Sequence, residues 1–277
     1  MNRLAYFSPS TQKEYSMDGQ LIYAGTALGL RGNIWSYSLG THDITGVTRV
    51  AREETFTLTT TSYESMVELE QAYTRDVENG TPGTLRIDDW KQSAYLVKTT
   101  AETVTPVLLA LKLIAVLLAG QWHRDKTTNF TTSYTSVDDD EWLNYPHNYP
   151  MNYGKQFDYA RDITVDTLSD APISFIIYGQ VANPSITIGN NIYTVNTTVP
   201  LNGVLRVDGL NRTVTLIDAV GTETNVFAKA VMKPGEDIFA QLKTGTNTVA
   251  WSRGFVFDAT VHETSGSPTW QKTQYNA

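Results

Sequence analysis

The segment from His123 to Phe130, His-Arg-Asp-Lys-Thr-Thr-Asn-Phe, has the residue types of a phosphotransfer loop, in which an aspartate takes a proton and an asparagine holds Mg²⁺. Its spacing denies that chemistry: Asn129 follows Asp125 by four residues, one short of the required pattern, and no Mg²⁺-binding Asp-Phe-Gly accompanies them. Gly154-Lys155 would suit a phosphate loop, but Tyr149 stands where its first glycine belongs and Gln156 where a metal-binding hydroxyl must be. Gly25, Gly29 and Gly32 miss the dinucleotide fingerprint and read as turns. The acidic run Asp138 to Glu141 offers oxygens to Ca²⁺, yet lacks the loop pattern of a calcium site and reads as a solvated loop. His42, His123, His147 and His262 stand singly, without metal-ligand spacing, and no serine sits in a Gly-x-Ser-x-Gly elbow. His42-Asp43 supplies two members of a triad, but reads as loop neighbours. The expectation is therefore no catalytic residue, no metal and no cofactor.

One constellation remains. Trp142, Tyr145, Tyr149, Tyr153, Phe157 and Tyr159 crowd a short segment that also holds Pro146 and Pro150. Aromatic faces stack on sugar rings, which makes Trp142, Tyr145, Tyr149 and Tyr153 candidate glycan-binding residues. The other reading, which we favour, is that they cement a boundary between domains or subunits, where aromatics are enriched.

The elements that would position these residues are mostly strands. At 277 residues, 41% hydrophobic and 18% charged, the chain has material for two cores of roughly 140 residues each. A net charge of −8 argues against wrapping nucleic acid, which needs a cationic face. There is no cysteine, hence no disulfide framework or thiolate chemistry, and the first residues show no secretory pattern. The apolar run from Val107 to Ala119 is shorter than a membrane span and carries Lys112 at its middle, so it reads as a buried element, not an anchor.

In the first half, Gln20 to Tyr23, Ile34 to Leu39 and Thr55 to Thr60 alternate as strands do. A helix follows, with Thr61 and Glu64 as a capping box, Met66, Leu69, Tyr73 and Val77 as its apolar stripe and Asn79-Gly80 as its stop. Strands flank a turn at Asp88-Asp89, and Val107 to Trp122 reads as one or two buried strands in preference to a helix, an alternative that periodicity in so short an apolar run leaves open. The segment from Asp138 to Asp158 is a linker or boundary, which gives domains at 1–145 and 146–277. Beyond it, turns at Asn190-Asn191, Asp208-Gly209, Gly221 and Gly245 to Asn247 separate short alternating strands, the pattern of a β-sandwich.

Those stretches resemble a family. Pro172 to Tyr193, Leu205 to Leu216 and Ile238 to Ser252, with Pro268 and Trp270 near the end, look like the distal tail proteins of long, flexible-tailed bacteriophages that infect Gram-positive bacteria. Gly29 to Leu39 and Gly46 to Leu58 are similar to the same family's N-terminal part. The resemblance implies a mainly β fold: an N-terminal β-barrel-like, tail-tube-like domain with one helix, and a C-terminal galectin-like β-sandwich. It implies a non-enzymatic hub of the phage tail tip, located in the virion and assembled in the bacterial cytoplasm. Its homohexameric ring would join the tail-tube protein to the tail-associated fibre or lysin protein, and to a receptor-binding protein, around a channel for DNA. The helix from Ser62 to Asn79 and its flanking strands are then expected in the ring contact, and the sandwich loops at outer partners. The His, Arg, Trp and Glu set with which galectins hold galactosides is missing. The competing reading is a carbohydrate-binding adsorption protein that recognises host cell-wall saccharide through the Trp142 to Tyr159 aromatics.

Overall fold

The computed structural model describes residues 4–19, 21–25, 27–105, 107–131, 160–252 and 254–268. The chain is mainly β, and it divides into two compact units, Met1–Arg124 with Thr264–Ala277, and Asp125–Glu263. The expected boundary at 145/146 lies outside the described residues.

The first unit contains β1 (Leu4–Ser8), β2 (Lys13–Ser16), β3 (Ile22–Tyr23), β4 (Ser36–Leu39), β5 (Ile44–Thr48), β6 (Arg52–Thr60), α1 (Tyr63–Glu78), β7 (Gly83–Ile87), β8 (Trp90–Thr105), β9 (Leu108–Leu117) and the start of β10 (Trp122–Phe130). Antiparallel pairing runs β2, β1, β7, β8, β9, β6, β3. A bridge from Tyr23 to Asp18, just past β2, and a hydrogen bond from Ala24 N to Met17 O at 2.6 Å join the two ends. The strands thus close on themselves, which removes the free edges an open sheet would present. Alternate residues point inward: Leu4 and Tyr6, Phe56 and Leu58, Leu85 and Ile87, Trp90 and Leu96, and Leu111, Leu113 and Leu117 form one core.

The run from Val107 to Trp122 is β9 and the start of β10, as strands were expected there. It is covered on one side only: Leu111, Leu113, Ala115 and Leu117 are buried, while Lys112 between them is exposed. The far half of β8 and the start of β9 extend past the core, with register shifts between Leu96 and Lys98 and between Ala101 and Thr103, and with Val97, Val104 and Val107 exposed.

Helix α1 stands where its periodicity put it, but Ser62, not Thr61, caps it. Ser62 holds an extended conformation and its hydroxyl accepts from Ser65 N at 3.3 Å, while Thr60 Oγ1 accepts from Ser62 N and leaves Thr61 one residue too early. Met66, Leu69, Ala72 and Tyr73 reach the core, and Gly80 ends the helix at φ +64°. Val77 was expected on the apolar stripe, yet it is exposed and Asp76 points inward instead. The reason is a polar anchor: Asp76 Oδ2 accepts from Tyr6 Oη at 2.8 Å, and Oδ1 from Ser8 Oγ at 2.9 Å and Ser10 N at 3.0 Å. Burial, reinforced by the Asp76 hydrogen bond, raises the Tyr6 pKa and keeps its proton on the donating side.

The second unit holds the rest of β10, then β11 (Ala160–Val165), β12 (Ile173–Tyr178), β13 (Val181–Ala182), β14 (Ser185–Ile188), β15 (Asn191–Thr194), β16 (Thr198–Val199), β17 (Val204–Asp208), β18 (Thr213–Ile217), β19 (Glu223–Asn225), β20 (Met232–Lys233), β21 (Glu236–Asp237), β22 (Gly245–Trp251) and β23 (Val256–Ser265), whose last residues return to the first unit. One sheet orders its strands β11-β22-β14-β15; the other runs β19-β18-β17-β12-β23-β10. Ile163, Ile186, Tyr193 and Val249 of the first meet Phe175, Leu205, Val214 and Phe257 of the second in one cluster, so the two sheets face each other as a sandwich. Phe257 sits at its centre, stacked on Phe130 at 4.7 Å and edge-on to Trp251 at 5.4 Å.

Turns at Asp208-Gly209 and Gly221 stand as read. The turn before β15 is Gly189-Asn190, one residue early, because Gly189 takes the positive φ. Gly245 to Asn247 is not a turn: Gly245, at φ +92°, is the bend from which β22 starts, and Asn247 already pairs with Ile163.

Replacing Asp76 by alanine strands three donors in a buried site and should cost about 2–4 kcal/mol in urea unfolding. A cost below about 1 kcal/mol would mean that water replaces the carboxylate. Gly83→Ala should destabilise as well, since its Cβ would stand 2.3 Å from the Tyr6 ring.

Candidate interaction surfaces

Trp142, Tyr145, Tyr149 and Tyr153, with Phe157, Tyr159, Asp138 to Glu141 and Gly154-Lys155, lie outside the described residues. The segment from His123 to Phe130 lies in strand β10, where successive side chains alternate faces, so it forms no loop around a metal. His42-Asp43 sits in the exposed turn between β4 and β5. Among the described residues no three His, Asp or Glu side chains converge as metal ligands, and no helix is long and apolar enough to cross a membrane.

The hairpin of β4 and β5 forms a separate two-stranded sheet. Its register places Tyr37 opposite Val47 and Leu39 opposite Ile44, so these four share one face, while Ser36, Ser38 and Thr48 share the other. Tyr37 is 62% exposed, Leu39 73% and Ile44 57%, an apolar face without a cover among the described residues. At its base the Arg49 guanidinium lies 4.0 Å from the Trp35 ring. Burial, and then the neighbouring Arg52, lower the pKa of Arg49, and its buried Nε and Nη1 have no hydrogen-bond acceptor. A two-stranded ribbon with an uncovered apolar face is marginal in water by itself.

A second arrangement lies on the outer face of the sandwich. Asp125 of β10, His262 of β23 and Ser174 of β12 stand in neighbouring strands. His262 Nδ1 is 2.7 Å from Asp125 Oδ1, and Nε2 is 2.8 Å from Ser174 Oγ. With a carboxylate at Nδ1 that nitrogen holds the proton, and neutral His262 accepts the Ser174 hydroxyl proton at Nε2. Gly209 N donates to Ser174 Oγ at 3.0 Å, a close approach that only glycine permits, since a Cβ there would meet Ile173 O at 2.0 Å. Asp208 fixes this turn by accepting from Leu210 N at 2.9 Å and Asn211 N at 3.0 Å. In the sequence His262 stands alone. Its partners are far away in the chain and only strand pairing brings them together; its place on the polar side of an alternating strand was the one available signal.

No protein-family model matches the chain, and no curated protein matches it at a significant level. Solved structures do. The Dit protein of phage SPP1, described as a paradigm of the hub adsorption apparatus in phages infecting Gram-positive bacteria, aligns over 96% of this chain and 99% of its own, with TM-score 0.52 and 10% identity. A chain of the phage P2 baseplate, in its activated conformation with Ca, aligns over 97% and 100%, with TM-score 0.52 and 12% identity. The chain therefore has the fold of these phage proteins along nearly its whole length.

Burial alone would raise the Asp208 pKa, but hydrogen bonds from Asn211 and Leu210 outweigh it and hold the carboxyl below its ordinary 3.8. A lowered folded value contributes stability above the unfolded pKa and loses it as pH falls through the folded one. The stability difference between the native chain and Asp208→Ala should thus be full at pH 7 and shrink steadily below pH ~4 in urea titrations. A difference independent of pH would contradict this role.

Proposed function

We propose that the protein is a structural hub of a phage tail tip. In this reading the first unit closes into a homohexameric ring, continuous with the tail-tube protein on one side and the tail-associated fibre or lysin protein on the other. The sandwich, galectin-like in this reading, faces outward toward a receptor-binding protein. The virion is its place of action, and the ring's channel passes DNA. The uncovered apolar face of the β4–β5 hairpin is the observation that carries self-association. The likeness of fold to the SPP1 hub protein and to the P2 baseplate supports the setting.

The hairpin's partner in this reading is α1 of the next copy. The outward side of α1 carries Tyr63, Val67 and Val77, all exposed, among Glu64, Glu68 and Glu78. Apolar residues would meet Tyr37, Leu39 and Val47, and the glutamates among them would face the positive charge of Arg49 at the base of the ribbon. Such head-to-tail contact uses two different surfaces, and it closes into a ring when the rotation per subunit divides the circle. A stable contact of this kind buries about 1,000 Å² or more in total. The net charge of −8 suits a lumen through which DNA moves without sticking.

Light scattering on a sizing column should give a mass of about 185 kDa for the native protein, six chains of 30.8 kDa, or a multiple of it for stacked rings. Tyr37→Ser with Leu39→Ser, and separately Arg49→Glu, should shift the mass toward one chain while circular dichroism stays unchanged. A native protein that remains one chain at high concentration overturns the reading. If the variants assemble as the native protein does, the hairpin is not the contact.

A further inference from the structure

The Asp125, His262 and Ser174 arrangement has a geometry that strand packing alone does not require. A half-buried serine needs one partner, and Ser174 already has the Gly209 amide. Instead its hydroxyl also meets an imidazole whose other nitrogen is held by a carboxylate, with both contacts under 3 Å. From this geometry we infer a nucleophilic serine on the outer face of the sandwich, with His262 as general base and Asp125 as its orienting carboxylate, acting on short-chain carboxylic esters. The inference is independent of the hub reading.

Each role follows from a position. Asp125 fixes the tautomer that leaves Nε2 free to take a proton, and it stabilises the imidazolium that forms. Asp208 adds a second negative charge near His262: the two interact, and the imidazolium form of His262 helps lower the Asp208 pKa. The Gly209 N–H belongs to a turn, not to the strand ladder, and points at the reacting oxygen. It is the backbone donor placed to meet an oxyanion formed beside Ser174. Asp208 is a positioning residue here, since its hydrogen bonds to Leu210 and Asn211 hold that turn.

The substrate class comes from the surroundings. The three residues lie on the outer sheet face, with Ser174 and His262 only partly accessible and Asp125 exposed, so the acyl group must be small. Around them Thr127 and Thr260 pair at 2.9 Å, and Asn129 donates to Asp258, which also accepts from Tyr178 Oη at 2.7 Å. A face of hydroxyls, amide and carboxylate beside an exposed tyrosine suits a hydroxyl-rich alcohol portion.

The reaction balances with water as the only co-reactant. Ser174 Oγ bonds to the ester carbonyl carbon as its proton passes to His262 Nε2. The bond to the alkoxy oxygen breaks, and that oxygen leaves with the proton from Nε2. Water then gives a proton to Nε2 and attacks the acyl carbon; the acid is released, and Ser174 Oγ recovers its proton.

The test uses the full chain and a fluorophosphonate probe, read by intact mass and peptide mapping. One adduct per chain at Ser174 is expected, formed at least ~10-fold more slowly in His262→Asn and in Asp125→Asn. Because the chain has no cysteine, Ser174→Cys gives a single thiol that probes the same base. Its alkylation by iodoacetamide at pH 7 should be at least ~10-fold faster than in the variant that also carries His262→Asn. The native chain should hydrolyse p-nitrophenyl acetate at least ~10-fold faster than Ser174→Ala. Native protein labelled no faster than His262→Asn, or an adduct elsewhere, overturns the inference. So does equal alkylation of the two cysteine variants.

Discussion

The apolar face of the β4–β5 hairpin is the constraint from which the account of this protein grows. Strand pairing puts Tyr37, Leu39, Ile44 and Val47 on one side of a ribbon only two strands wide, and nothing in the described chain lies over them. Water around such a face is costly, at about 25 cal/mol per Å² of apolar surface. No described residue of the same copy removes that cost. A neighbour would, and the Arg49 guanidinium at the base of the ribbon, stacked on Trp35, adds a positive charge that favours an acidic one.

Around this exposed element the two units are otherwise self-sufficient. The first closes its strands from β2 round to β3 and ties its helix to β1 through Asp76, so it offers the hairpin from a rigid base. The second packs two sheets over a run of rings centred on Phe257 and turns a polar face outward. One unit thus combines a rigid frame with an uncovered arm, and the other combines a sealed core with an open polar sheet. That division of labour suits a protein whose work is to hold neighbours in register.

Much of the fold was legible in the residues because alternation has a fixed period. The strands around Asp88-Asp89, the turn at Asp208-Gly209 and the helix with Met66, Leu69 and Tyr73 follow from local pattern alone. Val107 to Trp122 favoured strand over helix without deciding it, and gave no sign of its one-sided cover, since an apolar run does not say which of its residues will find a neighbour. The cap fell at Ser62 instead of Thr61 because hydroxyls at three successive positions compete for one geometry. Asp76 was hidden for a different reason: a buried carboxylate depends on Tyr6 and Ser8, about seventy residues earlier. His262 with Asp125 and Ser174 belongs to the same class, as does the exposure of Tyr37 and Leu39, whose alternation reads like any covered strand.

The central claim, that copies of this chain close on one another into a collar, is open to direct view. Negative-stain images of the purified protein should show annular particles with sixfold class averages and a stain-filled centre. Fields of small separate particles with no rotational symmetry, at concentrations well above those of assembly, would contradict it.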